Sequence, residues 1–279
     1  MMTEAQNPAQ AQELPPQPPQ PRRMSGVNMT GLATLVKKEV GRFINVYTQT
    51  LVAPVITILL YYTVFAVAFG GDVRMAGDMP YLEFLAPGLV MMIMVQNAFA
   101  NTSSSIVISK VQGNIVDVLM PPLSAGELMA GFLTGGVLRG FMVGAVSCAV
   151  IAFFVPIHIH SLAAIFAFAF LGTLMLSALG VAGGIWSEKF DHIAAVTNFI
   201  VTPLTFLSGT FYSIDRLPDG WREAAHFNPF FHMIDGFRYG FTGHADGSVW
   251  GGLAGLVLVN IALCALCLWM LRTGYKIKS

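Results

Sequence analysis

Arg139 is the one charged side chain that the sequence sets in the middle of a long apolar run. A guanidinium at that depth needs a partner, because hydrocarbon offers none. Two readings stand side by side. Arg139 lines a polar path and attracts an anionic headgroup or phosphate, or it satisfies carbonyls and polar side chains of a neighbouring helix. His158 and His160 put two imidazoles on one turn, too few ligands for a structural metal site, and read as a solvated loop. Cys148, Cys264 and Cys267 fall in apolar runs without further Cys or His nearby, and read as small packing residues. No nucleophile elbow, His-Glu-x-x-His helix or buried carboxylate pair occurs. The phosphate loop G-x-x-x-x-G-K-[ST] needs a Gly-Lys pair, and the sequence contains none. The expectation is a chain with no catalytic residues, no metal and no cofactor of its own.

The elements that hold these residues follow from composition. Of 279 residues, 55% are hydrophobic and 11% charged, with mean hydropathy +0.66. A soluble domain carries about 25% charged residues, so much of this surface faces lipid. Net charge is zero, which gives no basic field for nucleic acid. Residues 1–28 interleave prolines and glutamines and have too little apolar surface to repay ordering, so they are expected to be a disordered tail. Over 29–45, Leu32, Val36, Val40, Phe43 and Tyr47 recur at helical spacing with Lys37, Lys38 and Arg42 opposite, as in an amphipathic helix lying on the membrane surface. Apolar runs then span roughly 46–69, 82–103, 129–155, 162–186, 194–211 and 249–271. A helix needs about 20 residues to cross the hydrocarbon. Six spans return the chain to its starting side. Ten basic residues on that side against four on the other set both termini in the cytoplasm.

The expected fold is therefore an all-α membrane protein. It has six transmembrane helices, the N-terminal interface helix, and short re-entrant helices in the aromatic-rich connection between spans five and six. Gly131, Gly135, Gly136, Gly140 and Gly144 give span three a small-residue face for close packing, and Gly180, Gly183 and Gly184 do the same in span four. Two readings outside transport classes of the ATP-driven kind are kept: an ATP-independent carrier or scramblase, and a membrane-embedded lipid-modifying enzyme.

The loop after span two reads Lys110-Val-Gln-Gly113-Asn114-Ile115-Val116-Asp117-Val118-Leu119-Met120-Pro121-Pro122. With it go Ala86-Pro87-Gly88-Leu89, Pro203-Leu204-Thr205-Phe206-Leu207-Ser208-Gly209, and Asn228-Pro229 before Asp235-Gly236-Phe237-Arg238-Tyr239-Gly240. In this order and on these sides, the motifs resemble the permease subunits of the ABC transporter type-2 exporter family, from about residue 32 to the C-terminus. Within it, the short bacterial permeases of nodulation-factor and polysaccharide exporters are the nearest in character. The resemblance implies a permease domain over 46–279 in the bacterial inner membrane. It also implies a homodimer resting on two copies of a separate ATPase, which holds ATP and Mg. Lys110, Gly113, Asn114, Ile115, Asp117, Val118, Leu119 and Pro121 would form the coupling loop. Its helix would run over about 114–119, stopped by Pro121-Pro122, with an apolar face of Ile115, Val118 and Leu119 and polar contacts from Asp117 and Lys110. Family members carry a basic pair before the glycine and a glutamate at the acidic position, where this chain has Lys110 alone and Asp117. Lys38, Glu39 and Arg42 of the interface helix would also touch the ATPase. The path would run between spans two and five, lined by Asn97, Asn101, Arg139, Asn198, Thr202, Thr205 and Ser208, with interhelical hydrogen bonding as the alternative. Asp235 and Arg238, three apart on one helix, would make an outer structural pair, with substrate exit as the alternative. An amphiphile such as a lipid, glycan or drug suits the uncharged interior.

Overall fold

A computed structural model describes residues 26–69, 75–76, 79–214 and 217–277. Most of the proline-rich tail, together with Arg74, Arg216 and Lys278 of the charge count, lies outside them. Among the described residues the chain is helical except for a two-residue hairpin, Met75–Ala76 (β1) against Met79–Pro80 (β2). The helices are α1 (Met29–Ile44), α2 (Ala53–Phe69), α3 (Tyr81–Val111), α4 (Ile115–Leu119), α5 (Ala125–Ile151), α6 (Leu162–Trp186), α7 (Phe190–Val196), α8 (Thr202–Phe206), α9 (Asp219–His226), α10 (Pro229–Thr242) and α11 (Val249–Thr273). Among the described residues five helices are long and apolar enough to cross a bilayer: α2 with the turn before it, α3, α5, α6 and α11. α3 is the enclosed centre, packed by α5, α6, α10 and α2.

The glycine faces explain the close packing. A Cβ at Gly131 would meet Leu35 at 2.8 Å and one at Gly135 would meet Glu39 at 2.7 Å, so α5 opens two successive turns to α1. Gly136 and Gly140 do the same for Thr102, Thr173 and the Met94 carbonyl. Spacing by four puts Gly131 and Gly135 on one stripe, toward α1, and Gly136 and Gly140 on another, toward α3 and α6.

Four expectations differ in detail. The interface helix buries the predicted stripe only in part, with Phe43 buried and Leu32, Val36 and Val40 half-buried. Its buried residues are Leu35, Glu39 and Phe43, and because Leu35 meets Gly131 and Glu39 meets Gly135, α1 advances alongside α5. The first described residues are not tail-like either, since Asn28 accepts from Gly31 N as the N-cap of α1. The helix of the second run continues eight residues beyond hydropathy's limit of 103, to Val111, and Ser103 and Ser109 are accommodated within it by returning their hydroxyls to carbonyls one turn back.

The fourth difference concerns the run at 194–211. It is a helix of three pieces, α7, a π-turn Thr197–Val201, and α8, ending at Phe206 before Gly209 at φ +71°. Counted over residues 190–206 it rises about 25 Å, short of the ~30 Å hydrocarbon core. The cause is Pro203. It has no N–H, and its ring would crowd the carbonyl four residues back, so the preceding turn widens and Thr202 N reaches Thr197 O. Pro54 stands in the same relation to the π-turn Thr48–Val52 ahead of α2.

The connection between the last two apolar runs holds α9 and α10, as expected of short helices there. α10 is buried almost all round, with Gly236 against Phe168 and Gly240 against Ile165.

Candidate functional site

The coupling loop is built from a stop, a turn and a cap. α3 ends at Val111, and Gly113 turns the chain at φ +74°, a conformation that favours glycine. α4 follows at once, and Pro121-Pro122 prevents its extension. α5 then opens with a capping box in which Ser124 Oγ accepts from Glu127 N and Glu127 accepts from Ser124 N at 2.6 Å. The other Glu127 oxygen accepts from Asn28 N, so one carboxylate ties the starts of α1 and α5 together. Glu127→Ala should free the start of α1. Protease cleavage near Asn28 is expected to quicken while the rest of the chain stays resistant, as limited proteolysis in detergent would measure.

The apolar face of α4 turns inward. Val118 is buried, and Ile115 and Leu119 are half-buried against Ile106, Leu128, Phe132, Ile185 and Ile277. Lys110 turns inward as well, donating to the Ile185 and Ser187 carbonyls at 2.7 and 2.5 Å. It thus caps the C-terminus of α6, whose carbonyls lack helical partners, and it is not the outward polar contact expected. The side of α4 that faces out carries Val116, Asp117 and Met120. Asn114, Gly113 and Pro121 are exposed beside it. A groove of about 520 Å³ separates this loop from α1, lined by Asp117, Pro121, Pro122 and Leu123 on one side and Thr30, Thr34 and Lys38 on the other. Lys38 is exposed and joins the loop. Behind it, Lys276 donates to Glu188 at 3.2 Å and lies over the Trp186 ring, and this bond holds the exposed Glu188 carboxyl below its ordinary value.

Glu39 and Arg42 face the opposite way from Lys38. Glu39 is fully buried and accepts from Ser105 Oγ at 2.7 Å. Arg42 bonds Glu39 at 3.3 Å, the Asn101 carbonyl and side-chain oxygen at 2.6 and 2.9 Å, and Ser104 Oγ at 3.1 Å. One turn further along α3, Asn97 Oδ1 accepts from Arg139 Nη2 at 3.1 Å. The structure thus gathers two arginines, one glutamate and two asparagines from α1, α3 and α5 into one polar seam. Ser104 and Ser105 complete it. Their spacing from Asn97 and Asn101 along one helix face was a readable signal that the shorter predicted helix hid.

The remaining path residues stand apart. Thr205 returns its hydroxyl to Val201 O at 2.6 Å, and Ser208 donates to Leu204 O and accepts from Asn228 at 3.3 Å. Thr202 is half-buried and Asn198 is exposed. Within one chain they do not meet the seam. The outer pair does form, with Arg238 3.9 Å from Asp235 and both buried. No group of three or more His, Cys, Asp or Glu that could hold a metal occurs among the described residues.

Known proteins resemble this sequence over most of its length. The chain is 37% identical over 248 residues to the inner membrane transport permease YadH of Escherichia coli (strain K12), covering 89% of this chain and 97% of that one. It is 26% identical over 188 residues to Nodulation protein J of Rhizobium leguminosarum bv. trifolii, covering 67% and 71%. Nodulation protein J of Sinorhizobium fredii (strain NGR234) matches at 23% over 192 residues, covering 64% and 69%. The family model described as ABC-2 type transporter matches residues 30–242, from α1 through the seam and the coupling loop to the end of α10. A helical, multi-pass chain matched over that whole stretch belongs to the ABC-2 type transporter family as a transport permease.

Proposed function

We propose that this permease is the membrane subunit of an ATP-driven exporter, pairing with a second copy and resting on two copies of a separate ATPase that binds ATP and Mg. The observation that carries this reading is the outward side of α4. A five-residue helix held between two long helices presents Val116, Asp117 and Met120 beside the groove shared with Lys38. Short and braced from behind by Val118 and Leu119, it passes a push from below directly to the ends of α3 and α5. The ATPase would seat here and contact Asp117 and Lys38. Glu39 and Arg42 would hold α1 to the bundle so that both elements move together.

In this reading the chain lies in the bacterial inner membrane with both termini in the cytoplasm. Helices α7 and α8, with the chain to residue 211, complete a sixth crossing, and α9 and α10 dip into the outer leaflet. The tail at 1–28 is cytoplasmic. Asn198 and Thr202 face the second copy, where the path for a lipid, glycan or other amphiphile would be closed. Thr205 and Ser208, bonded to their own helix, would brace it.

The test is a pull-down of the tagged permease from native membranes in mild detergent. A nucleotide-hydrolysing chain at about one copy per permease is expected, and Asp117→Lys or Met120→Arg should lower its recovery about ten-fold while the permease stays monodisperse. Unchanged recovery in both variants rejects α4 as the docking element. Leu119→Arg is the wrong probe, because Leu119 packs against the chain's own core.

A further inference from the structure

We infer that the seam between α1, α3 and α5 is a seat for the anionic headgroup of an amphiphile, a phosphate or carboxylate gripped by Arg139 and Arg42. The inference rests on the export reading above and names the substrate class for it. The seam carries two guanidinium groups against one carboxylate. Glu39 is already taken, by Arg42 at 3.3 Å and Ser105 at 2.7 Å, and is sealed from the surface. Arg139 is left with a neutral amide oxygen, Asn97 Oδ1, and no carboxylate lies within ion-pair distance of it among the described residues. Arg42 Nε, Arg139 Nε and Asn101 Nδ2 are buried donors with nothing to donate to. Buried donors are ordinarily satisfied, and an intramembrane charge without a counter-charge marks a ligand or ion path.

Position and access favour an amphiphile. Arg139 is the fifteenth residue of the 27-residue α5 and Asn97 the seventeenth of the 31-residue α3, so both stand near mid-helix. Arg139 and Asn97 are half-buried and the Arg42 side chain is 27% exposed, so the seam is open on one side while Glu39 and Asn101 close it behind. Leu138, next to Arg139 in the chain, is exposed and offers apolar surface suited to a hydrocarbon tail. The planar arginine fork suits two oxygens of one anion.

The test uses the full-length permease in detergent, titrated with fluorescent phosphatidic acid, the same label on phosphatidylcholine, and inorganic phosphate as competitor. Phosphatidic acid should bind at least about ten-fold tighter than phosphatidylcholine, with Arg139→Gln abolishing the preference and Arg139→Lys keeping only part of it, since an ammonium keeps the charge without the fork. Equal binding of the two lipids by the wild type overturns the seat, whether or not Arg139→Gln folds. So does an unchanged preference in a folded Arg139→Gln. Displacement by millimolar phosphate alone overturns the amphiphile as the source. Recovery of the ATPase in the pull-down is independent of these titrations, so its loss with the lipid preference intact would reject export and leave the seat standing.

Discussion

Arg238→Met is expected to remove most of the folded permease. Arg238 is 1% exposed and joins three parts of the outer end: Nε donates to the Phe84 carbonyl at 3.1 Å, Nη2 donates to Gly209 O at 2.7 Å, and the guanidinium lies 3.6 Å over the Phe84 ring. Its ion-pair partner Asp235 accepts in turn from Asp246 N and Gly247 N at 2.9 and 3.0 Å. Truncating the arginine leaves a buried carboxylate without its counter-charge and two carbonyls without donors. Breaking such a pair from one side costs about 3–5 kcal/mol, a large share of any domain's stability. A fall in melting temperature of about 10 °C is expected in size-exclusion thermal assays. Arg238→Lys should recover only part of it, since one ammonium cannot reproduce the fork. A variant melting with the wild type would show that the pair is not structural and return weight to substrate exit.

Gly180→Ala should be nearly as damaging, whereas Gly183→Ala should be harmless. Both lie on α6 in the same apolar run. At Gly180 a Cβ would press on Thr102 Oγ1 and stand 2.7 Å from the Phe99 carbonyl, a backbone atom that cannot move without shifting α3. Overpacking of this kind costs about 1–3 kcal/mol. At Gly183 the nearest atom is Ile193 Cδ1 at 3.6 Å, an ordinary contact, and alanine gains up to about 1 kcal/mol of helix propensity. Measured side by side, the two variants separate close helix approach from a general dislike of substitution. Equal stability in both would remove the packing role of Gly180.

Much of this was legible along the chain. Long runs with at most one charge located five long helices, since a span must be predominantly apolar whatever it packs against. The Gly113 turn and the Pro121-Pro122 stop bounded α4 to within one residue, because both act through their own backbone. The Asp235–Arg238 pairing followed from spacing on one helix.

Facing was not legible. Lys38 and Glu39 are neighbours in sequence, yet one borders the groove and the other is buried against Gly135 and Ser105. Hydropathy assigns a glutamate to water, and only its partners on α3 and α5 reverse that. Lys110 read as a surface cation until the end of α6 was seen beneath it. The same holds for the short helix at 190–206. Pro203 was in plain view, but whether a turn breaks, kinks or widens depends on what lies against it. Sequence by itself determined that this chain is a helical membrane protein and where its helices run, because backbone bonding and burial in lipid act locally. Which side chains meet, and so which charges are spent and which are left open in the seam, was decided by tertiary structure alone, because hydrogen bonds and glycine gaps join residues some 40 to 100 positions apart.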